Sequence, residues 1–147
     1  MKQLILTILI AATVAFGQAD AAKQGKKKQA SQAKVLTRAE LDDLFAKPDQ
    51  VLIIDVRRPD EVTSNGGFPV YLSIQLADLE KSLAWIPRDR TIIALSNHAA
   101  RGSRAADILA KAGFKVAGAA GAEDYEQQGG TLTKIVPPPP NPNAKKQ

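Results

Sequence analysis

The pattern of apolar and polar positions predicts alternating helices and strands between residues 35 and 136. Thr37 and Glu40 have the spacing of a capping box, which marks the start of a helix. The β-branched runs 51–56 and 91–95 are typical of strands that are buried on both faces. The other predicted elements are helices over 59–63, 76–85, 102–112 and 123–128 and a third strand over 114–117. This alternation predicts an α/β fold, with a central parallel sheet and helices on both faces.

The first 21 residues have the pattern of a secretory signal peptide. Lys2 precedes an apolar run over 4–16, and small residues follow. Cleavage after Ala19 or after Ala21 fits the small-residue rule. The alternative is an uncleaved N-terminal membrane anchor, although a spanning helix needs about 20 apolar residues and this run is shorter. We therefore expect export and a periplasmic or secreted location.

Two polar or proline-rich segments flank the predicted domain. Residues 22–34 carry no large apolar side chain, so they predict a basic flexible linker. Residues 137–147, PPPPNPNAKKQ, predict an extended, disordered tail. The single folded domain is therefore expected over residues 35–136.

The positive net charge of the chain comes from these flanks. The whole chain carries +5, but residues 35–136 hold twelve Lys and Arg against fourteen Asp and Glu, a net charge of −2. Such a domain does not indicate nucleic-acid recognition. The lysine-rich linker is expected to make at most a weak contact with anionic surfaces.

The chain contains no cysteine and one histidine, His98. Without cysteine there is no disulfide, no thiolate nucleophile and no thiolate metal ligand. One imidazole does not suffice for a histidine-based zinc site. We therefore expect neither a metal nor a cofactor.

Several stretches match motifs of one known family of domains, in the order and spacing of that family. Residues 52–61, LIIDVRRPDE, are similar to the family's strand and turn I-D-V-R-x-P-x-E. Residues 66–69, GGFP, stand where the family has G-H-I-P, and residues 92–114 match its strand, loop and helix around the active site. Further matches are Gly121, Tyr125 and Gly129. Together these stretches resemble the rhodanese homology domain, and the resemblance implies a rhodanese-like fold over residues 35 to about 136.

In that family the loop after the central strand reads C-x-x-G-x-R, and its cysteine carries sulfur as a persulfide. The resemblance places Ser96 at the cysteine and Arg101 at the arginine. An alternative register places Ala99 and Arg104 there instead, and neither register supplies a sulfur atom. Because a serine oxygen cannot form a sulfur–sulfur bond, the resemblance implies a domain without sulfurtransferase activity.

Other positions also depart from the family's pattern. The glycine within the loop is Ala99, the histidine of G-H-I-P is Gly67, and the glycine after its proline is Val70. We interpret these joint departures as a domain released from catalysis, which acts as a binding or structural module. Its partner is an unidentified protein or a small oxyanion.

The loop is the candidate anion-binding site, since successive backbone N–H groups before a helix attract anions and arginine adds charge. In the alternative interpretation Ser96 forms only local hydrogen bonds. The arginines are then solvated or paired with acids such as Asp107. The candidate residues are Ser96, Asn97, His98, Ala99, Ala100, Arg101 and Arg104.

A rival hypothesis is an enzyme that uses the same loop. Ser96 and His98 would act as nucleophile and base of a hydrolase or transferase, or the loop would handle phosphate. We interpret three further charged residues, Asp55, Arg57 and Glu61, as structural ion pairing near the first strand. We interpret two aromatic residues, Trp85 and Tyr125, as core or rim side chains.

Overall fold

The computed structural model describes residues 31–134 and residue 136. The predicted signal peptide 1–21, residues 22–30 of the predicted linker and the predicted tail 137–147 lie outside the described residues. Within the described part, no helix has the length and apolar character needed to cross a bilayer.

Four parallel strands form one sheet in the order β2–β1–β3–β4. The strands are β1 (Val51–Asp55), β2 (Leu72–Ser73), β3 (Thr91–Ser96) and β4 (Val116–Gly121). The helices are α1 (Arg38–Phe45), α2 (Pro59–Asn65), α3 (Leu79–Ser82), α4 (Ala99–Lys111) and α5 (Ala122–Gln127), with a 3-10 turn at Leu83–Trp85 after α3. The predicted α/β fold with a parallel sheet is confirmed.

Helices cover both faces of this sheet, because neighbouring residues of a strand point to opposite faces. Ile54 of β1 belongs to one buried cluster, with Leu79 of α3 and Leu109 of α4. Ile53 belongs to the other, with Leu41 of α1 and Tyr125 of α5. The two-sided burial explains why β1 and β3 are continuous apolar runs in the sequence.

The register of the sheet places the candidate site. Asp55 pairs with Leu95, and Ser96 pairs with Gly121. Since the strands are parallel, β1, β3 and β4 all end at the same edge. The loops that follow them therefore meet there, as is usual for functional sites in α/β sheets.

The predicted capping box is present at the start of α1. The Thr37 hydroxyl accepts a hydrogen bond from the Glu40 N–H at 3.4 Å, and the Thr37 N–H donates to the Glu40 carboxylate at 2.9 Å. The two residues satisfy backbone donors at the helix N-terminus, which have no partner within the helix.

Two predicted boundaries on either side of α4 were wrong. The helix begins at Ala99 rather than Gly102, so Arg101 belongs to its first turn. The last strand begins at Val116 and runs to Gly121, whereas 114–117 was predicted. Phe114 instead packs into the core beneath the Arg88 guanidinium, 4.3 Å from the ring centroid. The small residues of β4 have low strand propensity, and pairing with β3 outweighs it.

The segment 76–85 is less helical than its leucine spacing predicts. Only α3, four residues long, and the 3-10 turn form there. Trp85, at the end of that turn, is 84 % exposed, so of the predicted core or rim positions it does not occupy the core. Tyr125, by contrast, is 9 % exposed and packs in the core.

The end of the predicted linker contacts the sheet. The Ala119 N–H of β4 donates to the Lys34 carbonyl at 2.8 Å, and the Leu36 N–H donates to the Ala119 carbonyl at 2.8 Å. The Ser31 hydroxyl also donates to the Ser103 carbonyl of α4 at 3.1 Å. Residues 31–34 therefore pack against the domain and cover part of its β4 edge.

Candidate functional site

The candidate loop is short, because only Asn97 and His98 separate β3 from α4. The helix approaches the strand closely at Gly102. A Cβ atom there would lie 2.7 Å from the Ala94 carbonyl oxygen of β3. Any larger residue would push α4 away from the sheet, so this glycine positions the loop.

The Ser96 hydroxyl is buried beneath the loop and bonds only to backbone groups. Its oxygen accepts a hydrogen bond from the Gly102 N–H at 2.9 Å and donates its proton to the His98 carbonyl at 2.5 Å. The side chain is 0 % exposed. Ser96 therefore connects the first turn of α4 to the end of β3, and its proton is already engaged.

A buried ion pair lies below the loop at the end of β1. The Arg57 guanidinium and the Asp55 carboxylate are both fully buried, and their shortest distance is 2.7 Å from Nη2 to Oδ2. The other terminal nitrogen of Arg57 donates to Asn97 Oδ1 at 3.2 Å. This confirms the structural ion pairing predicted for Asp55 and Arg57, and it holds Asn97 in place.

The carboxylate of Glu61 in α2 faces the loop and forms an ion pair with the guanidinium of Arg101. The two groups form a bidentate pair, with N–O distances of 2.6 and 2.8 Å. The same carboxylate accepts hydrogen bonds from the Asn97 side-chain amide at 3.1 Å and the Arg58 N–H at 2.9 Å. The hydrogen bonds from the Arg101 guanidinium first, and then the one from the Arg58 N–H, lower the pKa of Glu61 to about 2. The carboxylate therefore stays ionised at neutral pH and occupies the place predicted for an anion.

A second carboxylate, from Asp124 of α5, caps the start of α4. One of its oxygens accepts from the Ala99 N–H at 3.2 Å, and the other lies 2.9 Å from His98 Nδ1. The opposite ring nitrogen of His98 lies 3.3 Å from a carboxylate oxygen of Glu123. Asp124 first, and then Glu123, raise the pKa of His98 above its usual value.

Not all of the predicted candidates come together. Ser96, Asn97, His98, Ala99 and Arg101 meet at the loop.

The exposed side chain of Arg104 instead lines a cavity of 540 Å³ between α4 and the β4 edge, together with Asp107 and Lys111. Ala100 is exposed on the first turn of α4.

The two carboxylates that complete the site were not predicted to contact it. Glu61 was assigned to ion pairing near β1, but its main partner, Arg101, lies 40 residues further along the chain. No acid was expected to orient His98, yet Asp124 does so from 26 residues away. The family's I-D-V-R-x-P-x-E pattern contains this glutamate, so the sequence showed that the residue is present. It did not show that Arg101 is its partner.

Three polar groups of the loop are already engaged within the fold. The Ala99 N–H bonds to Asp124, the Arg101 guanidinium bonds to Glu61, and the hydroxyl of Ser96 bonds to backbone groups. Among residues 31–134, no group of three or more His, Asp or Glu side chains is arranged to hold a metal ion.

Comparison with known proteins supports the fold alone. No family model matches the sequence, and no curated protein does. A structure of a rhodanese-related protein from Thermoplasma volcanium superposes with a TM-score of 0.59, at 19 % identity, over 68 % of this chain and 97 % of its own. The domain has the rhodanese-like fold.

Other structures with the rhodanese-like fold give similar agreement. A rhodanese-like domain protein from Staphylococcus aureus has a TM-score of 0.57 at 19 % identity and covers 69 % of this chain and 99 % of its own. A thiosulfate sulfurtransferase from Pseudomonas aeruginosa has a TM-score of 0.58 at 25 % identity, over 69 % of this chain and 20 % of that protein. The resemblance seen in the sequence is thus confirmed for the fold, in a chain that contains no cysteine.

Proposed function

We propose that this protein is an exported rhodanese-like module without sulfurtransferase activity. It either binds a partner or has a structural role. The observation that carries the proposal is the position of Ser96 and the hydrogen bonding of its hydroxyl. It stands at the position where the resemblance puts the sulfur-carrying cysteine, and its hydroxyl is buried between two backbone groups. A serine is a nucleophile only when a positioned base activates it, and it cannot hold a persulfide.

The geometry favours a closed loop over a residual oxyanion site. An incoming anion would have to displace Glu61 from Arg101 and Asp124 from the Ala99 N–H. Both carboxylates are tethered to the fold, so they occupy these donors at a high effective concentration. A free oxyanion at millimolar concentration competes poorly with them.

The rival enzyme hypothesis finds little support in the same contacts. A serine nucleophile needs its hydroxyl hydrogen-bonded to the base. Here the Ser96 proton goes to the carbonyl of His98, while the imidazole of His98 faces Asp124 and Glu123. The imidazole has an orienting acid but no nucleophile in contact with it.

The test for catalysis is transfer of sulfur from thiosulfate to cyanide by the purified mature protein. We expect no turnover above a buffer blank. We also expect none from Ser96→Cys, because Glu61 still pairs with Arg101, and none from the control Ser64→Cys, which places a thiol at an exposed position on α2. Turnover by the wild type would contradict the proposal, whereas turnover by Ser96→Cys alone would contradict only the closed state of the loop.

The test for anion binding is the rise in melting temperature produced by sulfate. Sulfate stabilises proteins generally because it is excluded from their surfaces, whereas a bound anion stabilises by mass action. We expect equal rises for the wild type, Arg101→Ala and Lys81→Ala, a distant exposed control. A rise that Arg101→Ala alone abolishes would show that the loop binds anions.

A further inference from the structure

An apolar groove lies at the opposite edge of the sheet from the Ser96 loop. Its volume is 360 Å³, and its lining includes Val51 at the start of β1 and Arg90 just before β3. Because all strands are parallel, this edge is the amino-terminal one. The groove is therefore separate from the candidate site described above.

Three aromatic rings form the floor of this groove. The ring centroids of Phe45 and Phe68 are 4.8 Å apart, and those of Phe68 and Tyr125 are 5.2 Å apart. The third pair, Phe45 and Tyr125, is 6.2 Å apart. Phe68 and Tyr125 are buried in the core, so the fold holds these rings in place.

The rim of the groove is also apolar. Pro48, Pro69 and Val70 line it, and Val70 is 78 % exposed. Arg90 contributes the only charged side chain among the described residues that line it. Such a lining suits an apolar occupant better than a charged one.

The chemistry of this lining fits a proline-rich segment. Proline-rich segments adopt the polyproline II conformation, and they dock on aromatic-lined grooves at a low cost in conformational entropy. The chain contains such a segment, with four consecutive prolines at 137–140. We propose that residues 137–147 of the same chain dock in this groove, with prolines 137–140 against the aromatic floor.

The position of the preceding residues supports this occupant. Thr131 lines the groove, and Leu132 is buried in the same cluster as Phe68 and Tyr125. The first proline of the run follows Thr131 by six residues, a reach of about 20 Å when extended. Thr133 pairs antiparallel with Gly67, and neither Thr133 nor Lys134 lines the groove, so the proposed docking requires the run to turn back towards it.

Tethering decides between this chain's own segment and that of a second copy. A short linker gives a tethered segment an effective concentration in the millimolar range. A segment from a second molecule is present only at the protein's own concentration, which is micromolar in dilute solution. The intramolecular contact is therefore favoured under those conditions.

The test is nuclear Overhauser spectroscopy on the full mature chain, labelled with ¹³C and ¹⁵N. We expect cross-peaks between the ring protons of prolines 137–140, assigned separately from those of Pro48 and Pro69, and the aromatic protons of Phe45 or Tyr125. These cross-peaks should persist, at unchanged intensity per labelled molecule, after tenfold dilution of the labelled protein with unlabelled protein. After replacement of the four prolines 137–140 by serine, no proton of residues 137–140 should show a cross-peak to these rings.

A matched pair of variants tests the groove itself. Val70→Asp places a charge on the rim and should remove the cross-peaks. Trp85→Asp, at another exposed apolar residue that does not line the groove, should leave them intact.

Two results would overturn the proposal. One is the absence of these cross-peaks in the wild type. The other is cross-peaks only between labelled and unlabelled molecules, which would assign the groove to a second copy.

Discussion

Arg57 and Asp55 form the ion pair on which the loop rests, and both side chains are fully buried. Burial makes such a pair vulnerable, because removal of one partner leaves the other charge without compensation in a medium of low polarity. The guanidinium also bonds to Asn97, so the pair connects the end of β1 to the loop after β3.

We therefore expect Arg57→Ala to lower the free energy of unfolding by about 3–5 kcal/mol. Urea denaturation followed by circular dichroism measures this change. The control is Arg58→Ala, whose partner Asp60 is exposed, and there we expect no measurable loss. Equal effects of the two substitutions would contradict the structural role of the buried pair.

His98 is the single histidine of the chain, so its titration can be followed without assignment. Asp124 and Glu123 raise its pKa above the usual value of about 6.5. NMR titration of the imidazole should show this raised pKa in the wild type and a lower one in Asp124→Asn. An unchanged pKa in Asp124→Asn would show that the contact does not form, and Asp43→Asn, at an exposed site on α1, is the control.

The direction of the linked stability follows from the raised pKa. The contribution of protonated His98 is fully present below the unfolded pKa near 6.5 and is lost as pH rises through the folded pKa. The stability difference between the wild type and Asp124→Asn should therefore shrink from pH 6 towards alkaline pH, which thermal melting measures.

At the scale of elements, the start of α4 is held by groups from three other elements. Ser96 of β3 bonds to the helix backbone from below, Asp124 of α5 caps Ala99, and Glu61 of α2 pairs with Arg101. These contacts explain why the helix begins three residues earlier than its sequence predicts. Capping groups supplied from elsewhere satisfy N–H donors that local residues do not.

Removal of the Ser96 hydroxyl should loosen this junction. Without it the buried Gly102 N–H loses its acceptor and the His98 carbonyl loses its donor, so we expect Ser96→Ala to cost about 1–3 kcal/mol of stability. Chemical denaturation compares it with Ser64→Ala, which removes an exposed hydroxyl on α2. A loss no larger than that of the control would show that Ser96 does not hold the helix.

The link between α2 and α4 should weaken in acid. Arg101 holds the pKa of Glu61 at about 2, so the contribution of the pair is present above pH 4.5 and is lost as pH falls towards 2. The difference in melting temperature between the wild type and Glu61→Gln should therefore decrease over that range.

Glu40, whose pKa is also about 2, titrates in the same range. Carboxyl ¹³C NMR separates the two residues. In Arg101→Ala we expect the pKa of Glu61 to rise towards its ordinary value while that of Glu40 stays low. A low pKa of Glu61 in that variant would assign the effect to its other hydrogen bonds.

At the scale of the whole molecule, the two ends of the sheet present different surfaces. The carboxyl-terminal edge holds a closed, charged loop, and the amino-terminal edge holds an apolar groove. Neither surface contradicts the proposed role as a module.

Export is the further proposal at this scale. Mass spectrometry of the protein recovered from an exporting cell should find a new N-terminus between about residues 19 and 23, after the small residues. The intact N-terminus recovered in a membrane fraction would support the anchor instead.

The sequence by itself determined the layered architecture and the absence of a thiol nucleophile. The local periodicity of apolar residues indicates which strands and helices are buried, so runs such as 51–56 and 91–95 could be assigned as strands without coordinates. The absence of cysteine is a matter of atom type and needs no geometry. The resemblance placed Ser96 directly after the predicted strand 91–95, by counting back from the Ala112-Gly113 stop of the following helix, and in the structure Ser96 is the last residue of that strand.

Only the tertiary structure decided what the loop does. Glu61 and Arg101 are 40 residues apart, and Asp124 and His98 are 26 apart, so no local pattern reveals that they meet. The pairing of charges depends on the position and direction of each side chain in space, which the packing of α2 and α5 at the sheet edge sets. For the same reason the sequence suggested an open anion site, where the fold instead supplies two carboxylates of its own.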